Sequence, residues 1–248
     1  MTSRLVIRNR AYSDELRKAA SSIEQASWSA LGYLNYTRAH YELYTELIEK
    51  YPDYQLCLVD EETDYPVAVF NSVPLSYNGS GDLPQEGWDW VVETGARPKG
   101  PHTVLGGLAM SIPAVHRAKG YGRRMLRAMR ELAESKGLRA VFAAVRPSSK
   151  ARHPWVGIDD YVTWTDGKGR AFDPWLRSHL SSGGKLLGPC KRSMVVEEPI
   201  GFWETWAKTE YAQSGSYVID GALVPLNIDL ERGVGRYEEP NIWVTYAC

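Results

Sequence analysis

The chain is poor in cysteine, and the few it has are scattered. Three cysteines in 248 residues, Cys57, Cys190 and Cys248, cannot build a disulfide framework or a zinc site. No three of the five histidines have metal-ligand spacing, so no metal is expected. No apolar run approaches the roughly 20 residues that span a bilayer. Residues 1–10 carry three arginines and only a short apolar run, so no signal segment is expected either. Surplus charge is lacking too. The 29 Lys and Arg against 30 Asp and Glu leave a net charge of -1, which argues against broad nucleic-acid binding. Neither an internal repeat nor a low-complexity tail is evident. What remains is a soluble, cytoplasmic protein of one large domain or one and a half, with 44% apolar residues to fill its core.

The segment most informative about chemistry is Arg117-Ala118-Lys119-Gly120-Tyr121-Gly122. It follows an apolar run at residues 104–112 and opens a basic amphipathic run at 123–136. A strand feeding a glycine-rich turn into a helix N-terminus is an anion site, because turn amides point at the ligand and the helix dipole favours negative charge. From Arg117 to Arg130 the charged residues are six cations and no acid. That suits a pyrophosphate, with positive charge left for a further phosphate. A phosphate-binding loop of the Walker type needs Gly-Lys-Ser/Thr, and here Arg123-Arg124 follow Gly122. A dinucleotide fingerprint needs three glycines near a domain start, and here there are two in mid-chain.

The rest of the chain reads as α/β. Residues 5–8 form a first strand, and 13–28 and 35–50 two helices, with Ser13 as N-cap of the first. Residues 54–60 and 66–75 are adjacent strands joined by a polar turn. Residues 77–103 read as an inserted loop holding a short helix around Trp88-Asp89-Trp90. A central strand (104–112), a helix (119–136) closed by Gly137, and a strand (139–145) follow. Asp173-Pro174 starts a helix that Gly183-Gly184 ends. Residues 185–188, 192–197, 217–229 and 241–246 read as strands, and 199–208 as a helix.

Arg-x-x-Gly-x-Gly after a strand, with this helix and strand behind it, resembles motif A of the GNAT superfamily, the Gcn5-related N-acetyltransferases. The resemblance covers roughly residues 105–146; it departs at Pro113, which lies four residues before Arg117 where the family often has a proline three before. It implies a single GNAT-fold domain over residues 1–248, a mixed central sheet flanked by helices. Motif A would occupy 104–146, and the insertion and residues 147–248 would build the acceptor pocket. It also implies acetyl-CoA or another acyl-CoA as donor, held by Arg117, Ala118, Lys119, Gly120, Tyr121, Gly122 and Arg123. The pantetheine arm would lie along Leu108, Ala109, Met110 and Ser111. The implied activity is acyl transfer to the amine of a small molecule.

Asp173-Pro174-Trp175-Leu176-Arg177-Ser178-His179 and Trp88-Asp89-Trp90-Val91-Val92 more loosely resemble GNAT-like domains of polyketide-synthase loading modules. That resemblance implies acyl-processing roles for His179 and Arg192. Val145 stands where those domains use a threonine, which puts their full chemistry in doubt. His179 is the leading acid/base candidate, against a half-exposed histidine at a helix end held charged by the dipole. Tyr161 is a candidate to protonate the departing thiolate, against a plain Asp-Asp-Tyr helix start. His40 is a weaker candidate at the acceptor pocket. Other donors stay open: an acyl carrier protein or an aminoacyl transfer RNA. So does a catalytically silent acyl-CoA-binding sensor, and the oligomeric state.

Overall fold

The structure, a computed structural model, describes residues 4–79 and 83–248. Residues 1–3 and 80–82, which fall in the N-terminal reading and in the 77–103 insertion, lie outside the described residues. The chain begins with β1 (Leu5–Asn9) and α1 (Asp14–Trp28), capped as expected by the Ser13 hydroxyl, which accepts from the Leu16 amide at 3.1 Å. A 3-10 segment, Ser29–Tyr36, and a π-helical turn, His40–Tyr44, lead into α2 (Thr45–Lys50). The expected single helix over 35–50 is therefore broken. Thr37 is extended (φ -63, ψ 146), and its hydroxyl restarts the helix by accepting from the His40 amide.

Then come β2 (Leu56–Asp60), β3 (Tyr65–Leu75), α3 (Gly87–Ala96) and β4 (Val104–Ser111). They are followed by α4 (Tyr121–Ser135), β5 (Ala140–Val145), α5 (Ile158–Thr163) and α6 (Pro174–Ser181). Asp173 caps α6, accepting from the amides of Trp175 (2.9 Å) and Leu176 (3.1 Å). Gly137, at φ 68, closes α4 in the left-handed conformation that glycine adopts without strain. The last elements are β6 (Lys185–Pro199), α7 (Ile200–Ala207), β7 (Gly215–Tyr217), β8 (Leu226–Asp229) and β9 (Val234–Ala247). Two short strands were expected where β6 runs unbroken, because its irregular steps at Leu186/Gly188 and Cys190/Met194 read as ends. The expected strand over 217–229 survives only at its two ends, as β7 and β8.

Among the described residues one sheet of nine strands runs β1-β2-β3-β4-β5-β9-β8-β7, with β6 also paired to β9. Every pairing is antiparallel except β4 with β5. The apolar stripe of α4, Met125, Leu126, Met129 and Ala133, packs on one face with Leu105, Val141 and Tyr246. On the other face α3 buries Trp88, Val91 and Val92 with Val73, Leu108 and Trp243. Among the described residues no helix is long and apolar enough to cross a membrane.

Candidate active site

The site begins where the parallel pair parts. β4 and β5 pair only at Leu105–Val141, Gly106–Phe142 and Gly107–Ala143. Beyond these, Ala109, Met110 and Ser111 pair only with β3, and Ala144 and Val145 only with β9. The register between β3 and β4 steps from Asn71–Ala109 to Ser72–Gly107, so Leu108 is a bulged residue. Bulges re-aim backbone groups and end pairing. Here the bulge ends the parallel ladder and leaves the β5-facing edge of Leu108, Ala109, Met110 and Ser111 open to an extended ligand. Ser111 is buried and its hydroxyl accepts from the Trp28 indole at 2.9 Å, which pins the end of α1 over this edge.

The chain leaves β4 through a short 3-10 turn, Ala114–His116, and reaches Arg117, Ala118, Lys119 and Gly120, all exposed. Ala118 and Gly120 both have positive φ, at 60 and 79. A Cβ at Gly120 meets nothing within 4 Å. The first helical hydrogen bond of α4 is Arg124 N–H to the Gly120 carbonyl at 3.3 Å, so the preceding amides point out of the turn with no side-chain cap. This cradle fits an anionic diphosphate.

Two details correct the sequence reading of the turn. The Cα of Gly122 faces α6: a Cβ there would lie 3.2 Å from the Trp175 ring, so its smallness admits that helix while its amide stays in the turn. Arg124 turns away and donates to the Leu5 carbonyl of β1, and Arg127 faces Glu131 at 3.6 Å. The charge left at the rim is that of Arg117, Lys119 and Arg123. The Arg117 Nε also donates to the Ile112 carbonyl at 3.2 Å, which orders the loop.

Beside the bulge, on the α3 face, stands an aromatic stack. Trp88 Nε1 donates to the Leu108 carbonyl at 2.8 Å. The His40 ring lies near-parallel to Trp88 (centroids 5.8 Å, 19°) and to Tyr44 (4.6 Å, 16°). The Tyr44 hydroxyl accepts from Asn71 Nδ2 at 2.7 Å. Asn71 also donates to Glu24, which pairs with Arg10. Burial pushes the Glu24 carboxyl up against the pull of Arg10, and pushes His40 below its usual value. Asp89 accepts from the Thr37 hydroxyl (2.8 Å) and the Val195 amide (3.2 Å), while burial raises its carboxyl to about 7. Glu24, Tyr44, Asn71 and Asp89 were not singled out from the sequence. What the sequence did mark here was His40, as a candidate at the acceptor pocket, and the Trp88-Asp89-Trp90 run.

The expected catalytic residues stand elsewhere. His179 is 3% exposed, not half-exposed, with Nδ1 at 2.8 Å from the Tyr246 hydroxyl and its ring 4.5 Å from Trp175. Burial lowers its pKa to about 4, so the ring is neutral where the helix dipole alone would have held it charged. Tyr246 is paired with Val141, on the closed side of the β4–β5 junction and on the α4 face. Tyr161 is also buried, and its hydroxyl donates to Asp173 at 3.0 Å while burial raises its pKa. Arg192 is half-exposed and pairs with Glu86 at 2.8 Å. It lies beyond Cys190, which is opposite Asn241. Asn241 and Tyr246 are about 17 Å apart along β9 at 3.4 Å per residue. The structure therefore does not bring His179 and Arg192 together. Among the described residues no cluster of three or more His, Cys, Asp or Glu is arranged to hold a metal.

A parted parallel pair, a bulge at the parting and a basic turn onto a helix form the continuous site that the motif-A resemblance implies for an acyltransferase. The sequence profile of the Acetyltransferase (GNAT) family matches residues 21–156, which include the bulge, the turn and the aromatic stack. The chain is 32% identical over 226 residues to an arginine N-acetyltransferase, avaD, of Aspergillus versicolor, covering 80% of this chain and 78% of that one. Its fold is that of the loading GNATL domain of CurA from Lyngbya majuscula (TM-score 0.61, 17% identity, 98% of each chain). It is also that of the GNAT-like decarboxylase GphF, solved with isobutyryl-CoA (TM-score 0.56, 16% identity, 98% of each chain). The chain belongs to the GNAT acetyltransferase family and is a transferase. His179, Tyr161 and Arg192 all lie outside the stretch that the family profile matches.

Proposed function

We propose that this protein transfers an acyl group, acetyl in the simplest case, from an acyl-CoA to a nitrogen of a small molecule. The observation that carries the reading is the continuity of the open β4 edge with the cradle: Leu108 to Ser111 lead directly into Arg117 to Gly122. In this reading the amides from Lys119 to Arg123 hold the pyrophosphate, with Arg117 and Lys119 adding charge. Arg123 faces the further phosphate on the ribose. The pantetheine arm pairs with the open edge, and its thioester reaches the bulge. There the acceptor nitrogen attacks the carbonyl carbon, the carbon–sulfur bond breaks and the thiolate departs with its electron pair. Backbone donors aimed at the carbonyl oxygen lower the barrier where charge develops.

The relative named as an arginine N-acetyltransferase supports an acceptor of amino-acid size bearing an amine or guanidine. Residues 147–248 extend the sheet as a continuous part of the same unit, which supports one acyltransferase domain. One feature favours a second reading. Val115 is 74% exposed beside Arg117 and Lys119, giving a basic rim with an aliphatic tip on which an acyl carrier protein would dock.

Isothermal titration with acetyl-CoA and with acetyl-pantetheine separates the two. The CoA reading expects tight binding of acetyl-CoA alone. It also expects Arg117→Ala and Gly120→Val to weaken that binding by about 1.5–3 kcal/mol each, the scale of a charge-assisted hydrogen bond. Equal binding of both donors, or unchanged affinity in both variants, contradicts it.

A further inference from the structure

Acyl transfer needs a proton acceptor for the attacking nitrogen, and the three catalytic candidates read from the sequence are engaged with other partners, His179 with Tyr246, Tyr161 with Asp173 and Arg192 with Glu86. This inference rests on the acyl-transfer reading above. We propose that His40 is the residue that takes the proton from the acceptor nitrogen.

The ring is tied to both strands that flank the bulge. Through Trp88 it is one contact from the Leu108 carbonyl (Nε1 to O, 2.8 Å). Through Tyr44 it is one contact from Asn71, which pairs in register with Ala109. The backbone beneath the ring is fixed as well. The Thr37 hydroxyl accepts from the His40 amide at 3.1 Å and donates to Asp89 at 2.8 Å, and Asp89 in turn accepts from the Val195 amide. That chain joins the π-helical turn to α3 and β6. Single π turns recur at functional sites because they re-aim side chains that a regular helix would direct elsewhere.

His40 is half-buried, so a ligand can touch it, unlike His179. Burial keeps its imidazole below the usual value and hence neutral at pH 7, the form that accepts a proton. The ionisable groups around it are already engaged. Arg38 pairs with Glu93 at 3.1 Å, Asp89 is held by Thr37, and Glu24 pairs with Arg10 across Asn71. Glu42 is exposed, and burial raises the pKa of Tyr44, which keeps that phenol protonated. His40 is thus a neutral base one aromatic contact from the indole that holds Leu108, where the strands part. In the step, the nitrogen lone pair forms the carbon–nitrogen bond and the carbon–sulfur pair leaves on sulfur. The N–H proton moves to the imidazole, and the thiolate is protonated from solvent.

The test is thiol release from acetyl-CoA with L-arginine, L-lysine and agmatine as acceptors, for the wild type, His40→Gln and His40→Ala. The expected result is a 10²–10⁴-fold loss of kcat, the usual range for a general base. Acetyl-CoA affinity should stay within about twofold of wild type, the acid limb of the pH–rate profile should vanish, and added imidazole should partly restore His40→Ala. A structural role would give no rescue by imidazole. Turnover of His40→Gln within about tenfold of wild type, with the acid limb intact, would overturn the proposal. If the variants fail to bind acetyl-CoA, the wild-type profile decides: a rate with no acid limb overturns it. A wild type that consumes no acetyl-CoA with any of the three acceptors overturns the acyl-transfer reading itself.

Discussion

Trp88 holds Leu108: the indole nitrogen of α3 donates to the carbonyl oxygen of the bulged residue of β4 at 2.8 Å. A bulge in a buried strand leaves a carbonyl without its ladder partner, and an orphaned buried carbonyl costs free energy. The indole satisfies it and fixes the place where β4 leaves β5. Trp88→Phe keeps the ring and removes the donor. The expected cost is about 1–3 kcal/mol, the desolvation penalty of an unpaired buried acceptor. Urea unfolding measures it. Turnover should fall more than acetyl-CoA affinity, because the cradle at Gly120 is untouched.

Arg123 and Arg124 are neighbours in sequence with different duties. Arg123 is exposed at the start of α4, whereas Arg124 donates to the Leu5 carbonyl. Arg123→Glu should raise the apparent constant for acetyl-CoA, with little effect on melting temperature. The effect should shrink with salt, as the Debye length falls from about 10 Å at 0.1 M to about 3 Å at 1 M. Arg124→Glu should do the reverse, lowering stability by about 1.5–3 kcal/mol, the scale of a charged hydrogen bond, with donor affinity little changed. Steady-state kinetics at two salt concentrations beside thermal melts of both variants decide the matter.

His179 makes the fold sensitive to acid. Its folded pKa of about 4 lies below the ordinary 6.5, so the unfolded chain binds the proton first. Stability should therefore fall as the pH drops from about 6.5 to 4, by up to about 3 kcal/mol at 1.36 kcal/mol per unit. Asp89, raised to about 7, acts the other way, losing stability as the pH rises through that value. The comparison must therefore be between wild type and His179→Gln across the same pH series. The variant should show a flatter acid limb in unfolding free energy.

What the sequence disclosed was local. The strand, turn and helix around Gly120, the Ser13 and Asp173 caps and the Gly137 stop each depend on residues within a few positions. All appear in the fold, the last strand and helix bounds shifted by a residue or two. What it concealed depends on distant partners. His179 is buried because Tyr246, 67 positions on, closes over it. Arg124 is diverted by Leu5, 119 positions away. Helical periodicity over 35–50 hid the break at Thr37, because the partner that stabilises the break is Asp89, 52 positions on. Glu24 and Asn71 carried no motif, and only the sheet register sets them beside the bulge.

The central claim is that an acyl-CoA lies along the open edge of β4 with its diphosphate on the turn. Amide hydrogen–deuterium exchange with and without acetyl-CoA addresses it most directly. The account predicts slowed exchange at residues 108–111 and 118–123 together, abolished by Gly120→Val, with the amides around His179 unchanged. Protection confined to the α6 region around His179, or no protection at 108–111 under saturating acetyl-CoA, would contradict it.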